Sequence, residues 1–133
     1  MQNQHFAKSY RAAAIASATP GQLILMLMDG ALGSIAVALS AFEETNIERR
    51  DELLHKKVMK AHEIILELQS SLNLKVPGDF SRRMWALYAF MMKQLRHANI
   101  AKDPEPIRVV ERLLGKIRDA WATMLDRSAS QAA

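Results

Sequence analysis

Apolar residues recur at three- and four-residue intervals through four long stretches of this chain, the spacing of helices that bury one face. Between about Glu48 and Leu72 the stripe is Leu54, Val58, Ala61, Ile65, Leu68 and Leu72. Between about Phe80 and Ile100 it is Met84, Leu87, Tyr88, Met91, Leu95 and Ala98. From Pro104 to about Asp126 it is Ile107, Val110, Leu114, Ile117 and Trp121. Polar links separate the stretches: "TNIERR", then "NLKVPGD" with Pro-Gly turn chemistry, then "AKDPEP", where Asp103 caps and Pro104 takes the first helical position. No segment alternates as a strand does, and none repeats. Short links between long helices favour antiparallel neighbours, so the pattern predicts an all-α fold, an antiparallel four-helix bundle over residues 19–126. A flexible segment over 1–18 and a disordered tail over 127–133 flank it.

The first of the four helices, Pro20 to about Glu44, does not keep to one stripe. Thr19 and Pro20 are a start signal, a capping hydroxyl followed by a residue with helical φ. Leu23 to Met28 are then apolar without interruption. On a helical wheel only Gln22, Asp29, Gly33 and Ser40 form a polar band, about 40° wide. One flank carries Leu23, Leu27, Gly30, Ala31, Ser34, Ala38 and Ala41, small enough for a second helix to approach closely. The other carries Ile24, Met28, Ile35, Leu39 and Phe42. Either this helix has neighbours on most sides, or part of it is kept for something outside the bundle.

The other helices show a smaller excess of the same kind. Met59, Leu66, Trp85, Met92, Val109 and Leu113 stand outside the core stripes. Singly, each fits the shoulder of a core face. Together with Ile24, Met28 and Ile35 they make a candidate partner-binding surface, because a contiguous exposed apolar patch marks an interaction site and a Met-rich groove suits a partner helix. Self-association through the same surface is the alternative.

Composition changes this picture little. With 8 Met, no Cys and 6% aromatics, the apolar mass is of helix-forming type and disulfides are excluded. The formal net charge is +4, but the cations are scattered among acids, without the stripe or aromatic interleaving of a nucleic-acid groove. Lys8 and Arg11 precede the apolar "AAAIASA", yet Pro20-Gly21 interrupts that run and Asp29 cuts the next one short, so the expectation is a cytoplasmic protein without membrane insertion.

Chemistry finds little to work with. Glu52-x-x-His55 matches half of a di-iron bundle motif, but no other His follows a Glu at that spacing and the core stripes hold no carboxylate. There is no Gly-x-Ser-x-Gly elbow and no Gly-rich phosphate loop. The reading is a non-enzyme without cofactor or metal. Gly30 and Gly33, inside a helix, are read as close-packing residues.

Several fragments, in order and spacing, resemble the FliS family of flagellar secretion chaperones over about residues 10–121. They are Thr19-Pro20, Leu23-Ile24, Met26-Leu27 and Asp29-Gly30-Ala31; Lys60-Ala61, Ile64-Ile65 and Leu68; "LYAFM" at 87–91 with Leu95 and Ala98-Asn99; and Leu113-Leu114 leading to Ala120-Trp121. Met28 stands where the family commonly has an aromatic, and Ala89-Phe90 replaces a usual Asp-Tyr. The resemblance implies a cytoplasmic chaperone that binds the disordered C-terminal segment of flagellin, prevents premature polymerisation and presents the subunit to the export gate protein FlhA. It also implies that Tyr10 contacts the export gate and that the N-terminal segment, through Phe6, Tyr10 and Ile15, can lie over the binding surface. A plain flexible tail is the alternative for that segment, and a weak homodimer is compatible with the rest.

Overall fold

Thr19 sets where the bundle begins. Its Oγ1 accepts the Gln22 N–H at 3.2 Å while Gln22 Oε1 accepts the Thr19 N–H at 2.9 Å, a reciprocal capping box with Pro20 in the first turn. The structure is a computed structural model that describes residues 2–132, with side chains from 7 to 131. Its helices are α1 (Gln2–Ser17), α2 (Pro20–Ser40), α3 (Ile47–Ser70), α4 (Phe80–Ala101) and α5 (Glu105–Ala132), and a 3-10 turn, Ala41–Glu43, prolongs α2. Among the described residues there is no strand. Asn46 caps α3 by accepting the Arg49 N–H at 3.1 Å. At the far end of α4 the chain turns through Lys102 in the left-handed region, φ 55, and Asp103 accepts the Glu105 N–H at 3.0 Å to open α5.

Helices α2 to α5 form a closed ring in chain order: α3 lies between α2 and α4, and α5 returns to pack on α2. Each runs antiparallel to its neighbours, so the start of α2, the end of α3, the start of α4 and the end of α5 share one end of the bundle. Side-chain ties fix the register. Arg118 donates to both carboxylate oxygens of Asp29, at 2.7 and 3.4 Å, across α5 and α2. The Trp121 indole N–H donates to the Gly21 carbonyl at 2.9 Å, and the Gln69 amide donates to the Trp85 carbonyl at 3.1 Å. Gly21 lets α5 come close: a Cβ there would lie 2.6 Å from a terminal methyl of Leu125, whose side chain would have to shift.

The core follows the periodic stripes. Leu54, Val58, Ala61, Ile65 and Leu68 of α3, Met84, Tyr88, Met91, Leu95 and Ala98 of α4, and Ile107, Val110 and Leu114 of α5 are all buried. From α2 come Met28, Ala31, Ile35 and Ala38. Both flanks of α2 are therefore used: Gly30 faces Ile64 of α3, and the opposite side meets α5. A helix in a closed ring touches two neighbours and the interior at once, so it needs an apolar face far wider than a stripe. That accounts for most of its unbroken run. The four polar-band residues, Gln22, Asp29, Gly33 and Ser40, are exposed, as the wheel predicts.

Several expectations are corrected. Nothing lies within 4 Å of a Cβ at Gly33, and one at Gly30 would make only ordinary contact with Ile64, 3.6 Å away, so neither glycine is there for close packing. Residues 2–17 form a helix, in a run rich in alanine, the strongest helix former. The last helix continues past Asp126 to Ala132 for the same reason. Finally, Pro20–Glu43 is long and apolar enough by composition to cross a bilayer despite Asp29; here it packs between α3 and α5.

Candidate functional site: an apolar groove at one end of the bundle

Where α2 begins, α3 ends, α4 begins and α5 nears its end, the ring does not close tightly. A groove of about 500 Å³ opens there, within the size range of sites that hold a ligand. Its floor is Met28, Met84 and Tyr88, all buried, with the half-buried Ile24, Ile117 and Trp121 around them. Exposed Phe80 and Met124 form the rim. Leu74 and Val76, in the loop that leads from α3 to α4, add further exposed apolar surface at this end of the bundle.

Local chemistry explains why the end stays open. Pro77 and Gly78, the latter at φ +99, carry the chain through an irregular link that contributes no helix to cover the opening. The Trp121–Gly21 bond holds the start of α2 against α5 and leaves the side facing α4 uncovered. Tyr88 is the one titratable group in the lining. Burial pushes its phenol up to about 12, so it is neutral at physiological pH, and its hydroxyl makes no hydrogen bond within the described residues. An apolar cleft with the Tyr88 hydroxyl in its floor and exposed Ser71 and Asn73 in its lining is suited to apolar side chains accompanied by a few polar groups.

The sequence-predicted site residues divide into three groups. Ile24 and Met28 line the groove, although Met28 is 1% exposed and forms part of its floor rather than an outward knob. Ile35 and Met92 are corrections: both are buried in the ring core, because α2 and α4 spend those positions on their neighbours. Val109 and Leu113 are half-buried shoulders of α5. Met59, Leu66 and Trp85 are outward as predicted, at 44, 47 and 46% exposure, but on the side of the bundle where α3 meets α4, not in the groove. Tyr10 and Ile15 are exposed on α1, Tyr10 by 80%, and neither lines the groove. The Phe6 side chain falls outside the described residues.

Sequence reasoning assigned Met84, Tyr88, Ile117 and Trp121 to core stripes and passed over Phe80 and Met124. The six lie in the first three turns of α4 and in the stretch of α5 from Ile117 to Met124, which face each other across the opening. Among the described residues no three His, Asp or Glu side chains come together as metal ligands. His55 of the half-motif is instead hydrogen-bonded to Asn99 at 2.9 Å.

One histidine makes stability depend on pH. His62 Nε2 accepts from the Arg96 guanidinium at 2.8 Å, and burial, with Arg96 beside it, holds its pKa below the ordinary 6.5. Above 6.5 the folded and unfolded chains both keep this imidazole neutral. As pH falls through 6.5 the unfolded chain takes up the proton first, so stability declines until the folded His62 is protonated too. Urea melts between pH 7.5 and 5 are expected to show this decline, and His62→Gln is expected to flatten it.

Together these features define a class: an all-α, four-helix ring with an open apolar groove at one end. Comparison with known proteins agrees with it. The family model described as Flagellar protein FliS matches residues 1–128. The flagellar secretion chaperone FliS of Bacillus subtilis is 38% identical over 113 residues, 85% of this chain and 80% of the relative. Those of Vibrio cholerae and Salmonella typhimurium are 32 and 31% identical over 107 and 118 residues, covering 80 and 89% of this chain and 76 and 85% of theirs. The chain belongs to the FliS family of flagellar secretion chaperones.

Proposed function

We propose that this protein binds the C-terminal segment of flagellin, keeps it from polymerising before export, and brings it to the export gate protein FlhA in the cytoplasm. The observation that supports this reading is the end groove: a bundle that completes its own core still leaves Ile24, Met84, Tyr88 and Trp121 facing an unfilled apolar space. A segment that is disordered when free must recover its ordering cost on binding, and it does so by burying apolar side chains in such a space as it becomes helical. No covalent step and no cofactor enter.

Helix α1 is assigned the gate contact. It ends one link before α2, at Ala18-Thr19, and presents Tyr10 and Ile15 to solvent. The test is calorimetric titration of the chain with the flagellin C-terminal segment, repeated after deletion of residues 1–16. With neither Tyr10 nor Ile15 lining the groove, deletion is expected to leave flagellin affinity within about threefold and to abolish capture of the FlhA cytoplasmic domain. Tightening by more than about tenfold would instead make α1 a lid over the groove. No heat and no co-purification with the full chain would end the flagellin reading.

A further inference from the structure

We infer that the outer face of the α3–α4 seam is a second docking surface, one that takes an amphipathic partner helix with acidic residues along one edge. What occupies the end groove does not enter into it.

The floor of this surface is apolar and straight. Met59 and Leu66 lie two turns apart on α3, and the Gln69–Trp85 bond places Trp85 of α4 about one turn further along. Each of the three is close to half exposed, and a shallow depression is lined by Met59, His62 and Leu66. The floor is about 15 Å long, the length of about ten helical residues. A guest helix with apolar residues at three- and four-residue spacing would set one on each of the three anchors.

Charge decides what kind of helix. From Phe80 to Ala101, α4 carries Arg82, Arg83, Lys93 and Arg96 and no acidic residue. Among the described residues only Arg83 has a carboxylate partner, Asp79 at 2.8 Å. Arg82 and Lys93 are exposed and unpaired, three turns apart on one line, and Arg96 beside them meets only the neutral imidazole of His62. These three border the Trp85 side of the floor along its whole length. The α3 border is mixed: Lys60 reaches Glu63 at 3.9 Å, and Lys56, Lys57 and Glu67 lie nearby. The α4 rim is thus a line of uncompensated cations, and the α3 rim mixes lysines with glutamates. A guest is attracted with its acidic edge against α4, and a basic edge there is repelled.

The same cations raise the alternative of an anionic membrane. Position argues against it. The exposed aromatics of α4, Phe80, Trp85 and Phe90, project on three different sides of the helix, so they do not form a wedge that could enter a bilayer together.

The test uses the full chain and a synthetic helical peptide of about fourteen residues, with leucines at three- and four-residue spacing and glutamates along one edge. Titration followed by amide NMR is expected to shift signals around Met59, Leu66 and Trp85. A peptide with lysines in place of the glutamates is expected not to bind. Arg82→Glu with Lys93→Glu should weaken binding at least about tenfold, Arg82→Gln with Lys93→Gln by less, and Leu66→Ser with Trp85→Ser should remove it. All four positions are solvent-accessible, and circular dichroism melts check that the variants fold. Equal binding of the lysine peptide, shifts confined to the end groove, or binding to phosphatidylglycerol vesicles in place of the peptide would overturn the assignment.

Discussion

Ile35→Asp is expected to abolish the cooperative melt of the bundle. Ile35 is completely buried, between Ala31 and Ala38 on α2, in a core with no buried charged residue among the described residues. A carboxylate at that site meets no cation and no donor. It must either stay charged in a medium that solvates it poorly or give up its charge by taking a proton, and each route costs several kcal/mol. The isoleucine side chain is lost as well, and its truncation to alanine alone is worth about 2–5 kcal/mol. Against a total stability of about 5–15 kcal/mol for a domain, the sum removes most or all of the folded state. Thermal melts followed by circular dichroism measure it, and Ile35→Ala gives the graded version, a loss of about 2–5 kcal/mol in urea. An unchanged melt for Ile35→Asp would put this side chain outside the ring, where the sequence pattern alone had it.

The second large effect is on binding. Phe80→Asp with Met124→Asp is expected to weaken binding of the flagellin C-terminal segment by about 30- to 100-fold, or about 2–3 kcal/mol, while the bundle melts as before. Both residues are exposed on the groove rim, so a charge there costs the free protein little. In the complex the same carboxylates would border an apolar contact and be stripped of water. Ile24→Asp, on the half-buried wall, should weaken binding further and reduce stability modestly. Met28→Asp is different in kind: the side chain is 1% exposed, and its replacement should unfold the bundle for the reason that applies to Ile35. Calorimetry and a melt on each variant separate the outcomes. Full affinity in the rim variant would move the flagellin contact away from this end of the molecule.

How much of this was legible in the sequence depended on whether a property was periodic. The stripes through Leu54, Leu95 and Leu114 and the caps at Thr19 and Asp103 depend on local spacing, and the structure has them where the pattern puts them. The excess apolar residues were legible as an excess but not as a place. Ile35, Met92 and Trp85 all lie outside a minimal stripe, yet two are core and one faces solvent. What distinguishes them is which neighbour the ring brings alongside, and a wheel drawn for one helix does not contain that. The groove is less legible still. It is made between elements, so its lining comes from Ile24 of α2, Met84 and Tyr88 of α4 and Trp121 of α5, three separate helices, and all but Ile24 are regular core positions by their own pattern.

The ring is closed by its two most distant members. Asp29 and Arg118, which clasp α2 to α5, are eighty-nine residues apart, and the Gly21–Trp121 tie is longer still at one hundred. On the ribosome, α2 therefore emerges first and waits with one greasy flank bare until nearly the entire chain has followed. α3 can zip onto its other flank early, since that hairpin is local. The α5 side must wait, and during that interval it is an adhesive surface of the sort that draws nascent chains into aggregates. A protein that shields another's sticky segment thus passes through a stage of synthesis when its own first bundle helix has no shield.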